Sequence, residues 1–270
     1  MRGVSLDPVR PFIKWAGGKQ ALVADLVGRF PERFERYFEP FLGGGSVFLS
    51  LRPPNAVLAD QNRWLVDTYR AVRWSWRRVV AELEALPNTR RDYLQIRARD
   101  PWSLALAERA AQFIYLNKTG FRGLFRVNRA GRFNVPYGEY DRRTHDPDQL
   151  RDVARALRGV TLRCGDFESA LSDVTARDFV YLDPPYVKQG GHADFNRYTA
   201  DQFRQRDHER LAETCRELSA RGVRWLLSQS DTETVRSLYE GFAMERVAAR
   251  REINLNSRRR DVDELLIRSW

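Results

Sequence analysis

Short apolar runs alternate with amphipathic segments along most of this 270-residue chain. Most of these runs end at a glycine, an acid or a proline, as buried strands do where they lead into loops. A helix is predicted at 46–51 and another at about 200–220. Strands that alternate with helices predict an α/β protein with a doubly wound, mostly parallel sheet. The predicted strands are 37–41, 56–60, 160–164, 179–182, 223–228 and 263–268.

The middle of the chain departs from this alternation. A helical pattern extends from about residue 62 to 116, and Ser103 is a candidate cap for its last helix. Residues 117–140 are rich in glycine, arginine and aromatic side chains and show no period. We therefore expect a catalytic domain formed by 1–61 and 145–270, with 62–144 inserted as a mainly helical domain that bears a hairpin.

Composition narrows the class of protein. Hydrophobic residues make up 43% of the chain, enough for a sizeable core, and the net charge of +10 favours an anionic partner. Without a signal-like start or a long apolar run, we expect a soluble cytoplasmic protein with no membrane partner. Cys164 and Cys215 are expected to be free core thiols, and the three histidines lack ligand spacing, so we predict no metal site.

Glycines between the first predicted strand and its helix indicate a close backbone approach to a ligand, although an ordinary tight turn remains an alternative. Gly43, Gly44 and Gly45 do not form a dinucleotide fingerprint, because Phe48 stands where a further glycine is needed. The segment around Lys19 is not a phosphate loop either, because Gln20 replaces the required Ser or Thr.

Two acids stand at the ends of predicted strands. Asp60 suits a ribose diol, because a carboxylate accepts from both hydroxyl groups, but a helix N-cap is an equal alternative. Asp166 suits the amino group of a cofactor base in the same way.

The strongest local signal is the turn Asp183-Pro184-Pro185-Tyr186 after a buried strand. Two prolines end the strand ladder and fix the shape of the turn. The Asp183 carboxylate and the Pro184 carbonyl can accept both N–H groups of an adenine amine, which favours a tetrahedral nitrogen and stabilises its developing charge. Tyr186 can stack on the base. A proline-rich turn without function is the alternative.

Several motifs together resemble the Dam-type (alpha-group) DNA adenine-N6 methyltransferases. They are FIKWAGGK at 12–19, FEPFLGGGSVF at 38–48 and DPPY at 183–186, joined by YLNKTGFRGLFR at 115–126, GRFNVPYG at 131–138 and VDELL at 262–266. The resemblance covers almost the whole chain, although residues 64–102 match only in character.

The resemblance implies methyl transfer from S-adenosyl-L-methionine to N6 of adenine in double-stranded DNA, by base flipping and direct in-line transfer, without a metal or covalent enzyme intermediate. Asp183, Pro184 and Tyr186 would be catalytic. The implied cofactor-binding residues are Trp15, Ala16, Lys19, Glu39, Phe41, Gly43, Gly45, Asp60, Asp166, Phe167 and Asp183.

The glycine- and arginine-rich stretch corresponds to the family's target-recognition hairpin. Arg126 would contact a guanine edge, Leu124 and Pro136 a thymine methyl group, and Phe121 would insert into the base stack. These positions predict GATC as the target; solvent-facing arginines in a simple loop are the alternative. The implied DNA-binding residues are Lys14, Phe121, Arg122, Leu124, Arg126, Asn134, Pro136, Tyr140, Asn256 and Arg258.

The sequence also departs from the family pattern. Arg122 replaces a common asparagine beside Phe121, and Ser228-Gln229-Ser230-Asp231 differs from the usual Ser-Asn-His-Asp, so we assign no catalytic role at 228–231. The arginines around Asn256 and Arg258 form a basic loop suited to phosphate contacts or simply to solvation.

Two other functions remain open. The same transfer could act on RNA or on a protein amide, but a guanine contact in a major groove suits B-form DNA better than A-form RNA. A DNA-binding module without catalysis would have no use for Trp15, Lys19, Asp60 or Asp183. A hairpin that recognises a whole short site needs no second subunit, so we expect a monomer at the nucleoid without an obligate protein partner.

Overall fold

A computed structural model describes residues 9–141, 143–187, 203–250 and 261–270, without the side chains of 249–250 and 261–263. It contains one seven-stranded sheet in the order β3-β2-β1-β4-β5-β7-β6. The first five strands in this order pair in parallel, and β7 runs antiparallel to β5 and β6. The predicted mostly parallel α/β sheet is confirmed. The strands are β1 Tyr37–Glu39, β2 Ala56–Asp60, β3 Thr161–Cys164, β4 Phe179–Leu182, β5 Arg224–Ser230, β6 Ala243–Arg250 and β7 Asp261–Arg268.

Helices connect these strands, and their ends follow local capping chemistry. Asn62 begins α3 because its side chain accepts a hydrogen bond from Leu65 N, and Asp146 caps α6 in the same way. Within the described ranges no helix is long and apolar enough to cross a membrane. The helices are α1 Val23–Val27, α2 Ser46–Leu51, α3 Arg63–Glu84, α4 Arg90–Ala98, α5 Leu106–Thr119, α6 Pro147–Ala156, α7 Phe167–Ala170, α8 Gln205–Ala220 and α9 Glu233–Leu238.

Two local predictions are wrong. Ser103 does not cap α5, because its hydroxyl donates to Asp100 O inside a 3-10 turn, and the helix begins after Ala105. The helix predicted from about residue 200 begins at Gln205, after an extended Arg204.

The sheet separates two hydrophobic cores. Successive residues of a strand point to opposite faces, so Tyr37 and Phe179 join one core, while Phe38 and Val180 join the other. The first core also contains side chains of α3, α5 and the loop around Phe125. The segment predicted as an insertion thus packs on one face of the sheet within a shared core, and its domain boundaries stay a prediction.

Only one of the two cysteines lies in the core. Both are free thiols, but Cys164 is exposed and Cys215 is buried. The expectation of two core thiols is wrong for Cys164, because it ends the edge strand β3, whose two end residues are exposed and whose two middle residues are only half-buried.

Residues 120–138 form two antiparallel arms, which we call the hairpin. Phe121 N donates to Pro136 O at 2.8 Å, and Asn134 N donates to Arg126 O at 3.1 Å. At the tip, the side chain of Asn128 accepts from the backbone N–H groups of Ala130 and Arg132, which closes the turn. The glycine- and arginine-rich stretch therefore has the hairpin shape predicted for it.

Candidate active site

The predicted site residues meet at the carboxyl edge of the sheet. The glycine loop follows β1, Asp60 ends β2, Asp166 follows β3 and Asp183 follows β4. The strand order reverses between β1 and β4, and Phe38 pairs with Val180 there. Ligands of doubly wound sheets bind at this kind of switch point. Residues separated by up to 140 positions in the sequence therefore border one crevice.

The glycine loop packs tightly against side chains from two other segments. Gly43 has a φ of +48°, and a Cβ there would lie 2.6 Å from Cδ1 of Trp15. Gly45 has a φ of +66°, and its Cβ would lie 2.8 Å from the Tyr69 hydroxyl oxygen. These positions need glycine for both conformation and space. The close approach joins the loop to Trp15, and so to the segment that bears Lys19.

The Asp60 carboxylate accepts two backbone hydrogen bonds and retains the capacity to accept more. Its Oδ2 accepts from Gly43 N at 3.0 Å and its Oδ1 from Asn62 N at 2.8 Å. Burial raises the pKa of Asp60 to about 6, against the lowering effect of these two bonds. The N-cap of α3 is Asn62, so the helix-cap interpretation of Asp60 is wrong. Each carboxylate oxygen retains a lone pair for a further donor, which fits a vicinal diol.

Asp183 forms a buried ion pair with Lys19. Lys19 Nζ lies 2.8 Å from Asp183 Oδ1 and also donates to Gly17 O at 2.7 Å. The Lys19 side chain is only 3% exposed. Burial alone would lower the pKa of Lys19, but the nearby carboxylates of Asp183 and Glu264 outweigh it and raise that pKa above its ordinary value. Lys19 is therefore a cation that balances the negative charge of the Asp183 turn.

The end of β5 positions the Asp183 turn. Ser228 Oγ donates to Asp183 Oδ1 at 3.1 Å and lies 3.0 Å from the Tyr181 hydroxyl. Gln229 Oε1 accepts from Val187 N at 3.0 Å, which fixes the residue after Tyr186. The sequence departure at 228–231 had given no reason to assign a role here, yet these side chains orient the candidate catalytic carboxylate.

Tyr186 is fixed at both its hydroxyl group and its ring. Its hydroxyl donates to Glu264 Oε2 at 2.8 Å, and Lys19 Nζ lies 4.7 Å from the ring centroid. Cations bind the face of an aromatic ring, so one face of Tyr186 is directed toward Lys19. Glu264 belongs to a sequence motif but had been given no role. In the structure it is buried on β7, where its carboxylate accepts from the Tyr186 hydroxyl.

Glu39 lies beneath the glycine loop. It is 3% exposed, and its Oε2 accepts from the Tyr37 hydroxyl at 2.8 Å. Burial raises the pKa of Glu39 to about 8, although bonds from Tyr37 and from Phe48 N in the first turn of α2 oppose this rise. These contacts tie β1 to the start of α2.

Aromatic and charged groups border the β3 side of the crevice. The rings of Phe41 and Phe167 lie 5.6 Å apart and form an apolar wall. Asp166 caps α7 by accepting from Glu168 N, and its Oδ1 lies 2.9 Å from Arg210 Nη2. Asp166 therefore belongs to the same sheet edge but already has two partners.

The hairpin presents several predicted DNA contacts on its surface. Phe121 is 41% exposed, Pro136 is exposed and Leu124 is half-buried. Lys14, which lies outside the hairpin, is also exposed. Arg126 Nε donates to Asn134 Oδ1 at 2.9 Å, so these two predicted contacts on opposite arms bind each other. Asn256 and Arg258 lie outside the described residues.

Arg122 adopts an unusual backbone conformation beside Tyr140. Its φ is +59°, and its backbone N–H donates to the Tyr140 hydroxyl at 2.8 Å. The Tyr140 ring fits against the hairpin only because Gly138 lacks a side chain, since a Cβ there would lie 2.4 Å from Tyr140 Cε2. The tyrosine thus supports the turn at the start of the hairpin that presents Phe121.

Comparison with known proteins identifies the family. Residues 15–253 match the model of the D12 class N6 adenine-specific DNA methyltransferases. The chain belongs to this family. The resemblance drawn from the sequence motifs is confirmed, and this methyltransferase shares with its relatives an adenine-specific activity on DNA.

Curated relatives of the methyltransferase match nearly end to end. It is 36% identical to the Type II methyltransferase M.MjaIII of Methanocaldococcus jannaschii, over 97% of this chain and 99% of the relative. It is 35% identical to the DNA adenine methylase of Vibrio cholerae, over 95% of each chain. The DNA adenine methylase of Escherichia coli K12 is 34% identical, over 95% of this chain and 94% of the relative.

One residue missed at the sequence level connects the segment of the methyltransferase that bears Trp15 and Lys19 to its hairpin. Asn117 is fully buried on α5, and its side chain bonds to the backbone of Lys14 and of Gly123. Trp15 adds apolar contact, because its ring stacks on Phe125 of the hairpin at 5.5 Å. A buried asparagine that bridges two loops has no sequence signal beyond its place in a shared motif.

Proposed function

We propose that this methyltransferase transfers a methyl group from S-adenosylmethionine to N6 of an adenine flipped out of double-stranded DNA, at the sequence GATC. The observation that supports this most directly is the meeting of the Asp183 turn and the glycine loop at one crevice, through the segment from Trp15 to Lys19. The RNA and binding-module alternatives find no separate support in the described residues.

The residues along the crevice fit S-adenosylmethionine. Asp60 offers lone pairs to a ribose diol, and Phe41 with Phe167 offers an apolar wall to a flat base. Trp15, Ala16, Lys19, Gly43, Gly45 and Asp166 border the same region as proposed contacts, and Glu39 supports the loop from beneath. When bound, the cofactor supplies an electrophilic methyl group on a sulfonium, so the protein supplies position and charge stabilisation.

Asp183 and Pro184 are the proposed acceptors for the adenine amine. Both Lys19 and Ser228 bond to Oδ1 of Asp183, so we expect Oδ2 to accept one amine N–H. The Pro184 carbonyl accepts the other. Drawing both N–H groups out of the ring plane frees the nitrogen lone pair for attack and stabilises the positive charge that develops. Tyr186 holds the base by stacking.

The hairpin is the proposed target-recognition element. Asn134 fixes the plane of the Arg126 guanidinium, because its side-chain oxygen accepts from Nε and its carbonyl oxygen accepts from Nη2 at 3.4 Å. The remaining terminal N–H groups are the proposed contacts to N7 and O6 of a guanine. Leu124 and Pro136 are the proposed contacts to a thymine methyl group, and Phe121 the side chain that fills the stack when adenine leaves. Lys14, Arg122, Tyr140, Asn256 and Arg258 complete the proposed DNA contacts.

Transfer of labelled methyl groups tests the proposal. Purified protein should transfer label from S-adenosylmethionine to a GATC duplex, and the label should be recovered as N6-methyladenine. A duplex with one base pair of the site exchanged and an RNA of the same sequence serve as controls and should remain unlabelled. Label in the RNA, or in both duplexes equally, would contradict the proposed substrate or target.

A further inference from the structure

A second cluster of arginines lies away from the crevice, in a cleft between α3 and α6. The cleft has a volume of about 160 Å³. Of the five arginines that line it, Arg77, Arg155 and Arg158 are exposed, and Arg73 and Arg151 are half-buried. The residues that line it, together with Ala154, are Arg73, Trp76, Arg77, Arg151, Arg155 and Arg158.

This arginine cleft lies at the opposite edge of the sheet from the active site. Arg73 Nη1 donates to the carbonyl oxygen of Val160, the residue before β3. The candidate active-site acids follow the carboxyl ends of the parallel strands, whereas Val160 precedes an amino end. The four residues of β3 separate the two edges by about 13 Å. A ligand in the cleft is therefore not in the crevice.

The cleft has an excess of positive charge. Arg151 pairs with Asp148 and Asp152, and Arg155 shares Asp152 at 3.5 Å. Among the described residues, no acid forms an ion pair with Arg73, Arg77 or Arg158. Five arginines thus face two acids, which favours an anionic ligand with several charges.

Tryptophans orient two of these guanidinium groups. α3 is kinked at Ser75, whose φ of −147° and ψ of 41° are not helical. On either side, Arg73 stacks over Trp74 at 4.5 Å and Arg77 over Trp76 at 4.7 Å. A stacked guanidinium directs its N–H groups to the edge of its plane, where they match the oxygens of a phosphate. Arg73 uses one of these groups, on Nη1, to bond to Val160 O. Trp74 is 73% exposed, which leaves a large flat apolar surface beside the cleft.

We propose that the arginine cleft binds the phosphate backbone of duplex DNA outside the target site. Arginines contributed by two helices suit phosphates spaced along a polymer, and the family's substrate is DNA. A second contact of this kind would retain the enzyme on long DNA while the hairpin leaves one target. The inference goes beyond the proposed function, because it needs DNA to bind but needs neither methyl transfer nor GATC.

The test compares two triple variants that each remove three exposed arginines. The cleft variant is R77Q/R155Q/R158Q, and the matched control is R33Q/R177Q/R206Q, located elsewhere on the surface. Affinity is measured against salt for a short duplex limited to the target site and for a long duplex with the same site. We expect the cleft variant to bind the long duplex roughly tenfold more weakly, with a salt slope smaller by about 2–3, and to bind the short duplex like the wild type.

Four outcomes would overturn the proposal. If the cleft variant bound the short and the long duplex equally more weakly, these arginines would belong to the primary site. If the control variant lost as much affinity for the long duplex as the cleft variant, the effect would come from net charge alone. Weaker binding of single-stranded RNA, with unchanged binding of long duplex DNA, would make the cleft an RNA site. The R77K/R155K/R158K variant keeps the charge and should retain most of the long-duplex affinity, and a loss as large as in the glutamine variant would contradict a phosphate ligand. These readouts do not depend on methyl transfer, so they separate this proposal from the proposed function.

Discussion

Asn117 and Lys14 are joined by two hydrogen bonds of 2.8 Å each. Asn117 Oδ1 accepts from Lys14 N, and its Nδ2 donates to Lys14 O and, at 3.1 Å, to Gly123 O. A single buried amide therefore fixes the segment that bears Trp15 and Lys19 to the start of the hairpin. The proposed cofactor site and the proposed DNA-recognition hairpin share this support.

Asn117→Ala should weaken both cofactor affinity and discrimination between target and non-target duplexes. Three backbone groups lose their partner, so the two segments lose their fixed relative position. Gln112→Ala is the matched control, because Gln112 is a buried amide on the same helix that bonds instead to Ile96 O and Arg99 O. Calorimetry and competition binding should show a loss of stability in both variants, but the two ligand effects only in Asn117→Ala. Identical effects in both variants would reduce Asn117 to a general stabilising residue.

Lys19→Met should move the acid limb of the pH–rate profile to higher pH. The Lys19 cation opposes protonation of Asp183, and its removal leaves this carboxylate beside Glu264 in a buried site. The active form needs Asp183 ionised, so loss of the cation should raise the pKa of Asp183 and move the acid limb to higher pH. Ser228→Ala removes a neutral hydrogen bond from the same oxygen and should move the limb much less. An unchanged profile in Lys19→Met would show that the ion pair does not control this ionisation.

Arg126→Ala should relax discrimination at one guanine by about 1–3 kcal/mol. Asn134→Ala should relax it at the same position but to a smaller extent, because Asn134 acts by orienting Arg126. Arg132→Ala removes an exposed arginine from the same hairpin and is the control for charge. Rates on a set of single-base-pair variants of GATC give the comparison. A uniform loss on all sequences would make Arg126 a phosphate contact.

Glu39→Gln should flatten the dependence of stability on pH. The pKa of Glu39 is raised from 4.5 to about 8 in the folded protein by burial. Between these values the folded state retains a proton that the unfolded state has lost, so its contribution is present below about pH 4.5 and is lost as pH rises to about 8. The free energy of unfolding should fall by up to about 1.4 kcal/mol per pH unit in this window. Denaturant unfolding at several pH values should show this slope in the wild type and a smaller one in Glu39→Gln, with exposed Glu209→Gln as the control for net charge. Equal slopes in all three proteins would contradict the assignment.

The fold was largely predictable because the strands that form its centre are short apolar runs with clear ends. Phe179–Leu182 is buried at every position, so its pattern had one interpretation. β6 was missed because it pairs with β7 alone, at the edge of the sheet, and its sequence includes Glu245 and Arg246. Taken alone, this charged sequence is typical of a loop, and only its pairing with β7 identifies it as a strand.

The site was predictable where a motif leads directly into a loop, as at Asp183 and the glycine loop. The supporting contacts were not. Lys19 had been assigned to the cofactor, but its partner is Asp183, 164 positions away. Ser228, Glu264 and Asn117 act through long-range side-chain bonds whose partners no local pattern reveals.

The most direct test of the central claim is the single-turnover rate of methyl transfer by Asp183→Ala, with DNA affinity measured on the same sample. If the 183–186 turn holds the adenine amine for attack, transfer should fall by roughly 10²–10³-fold or more, while the affinity for duplex DNA stays within about tenfold of the wild type. Transfer near the wild-type rate, or DNA binding that collapses together with activity, would contradict this assignment.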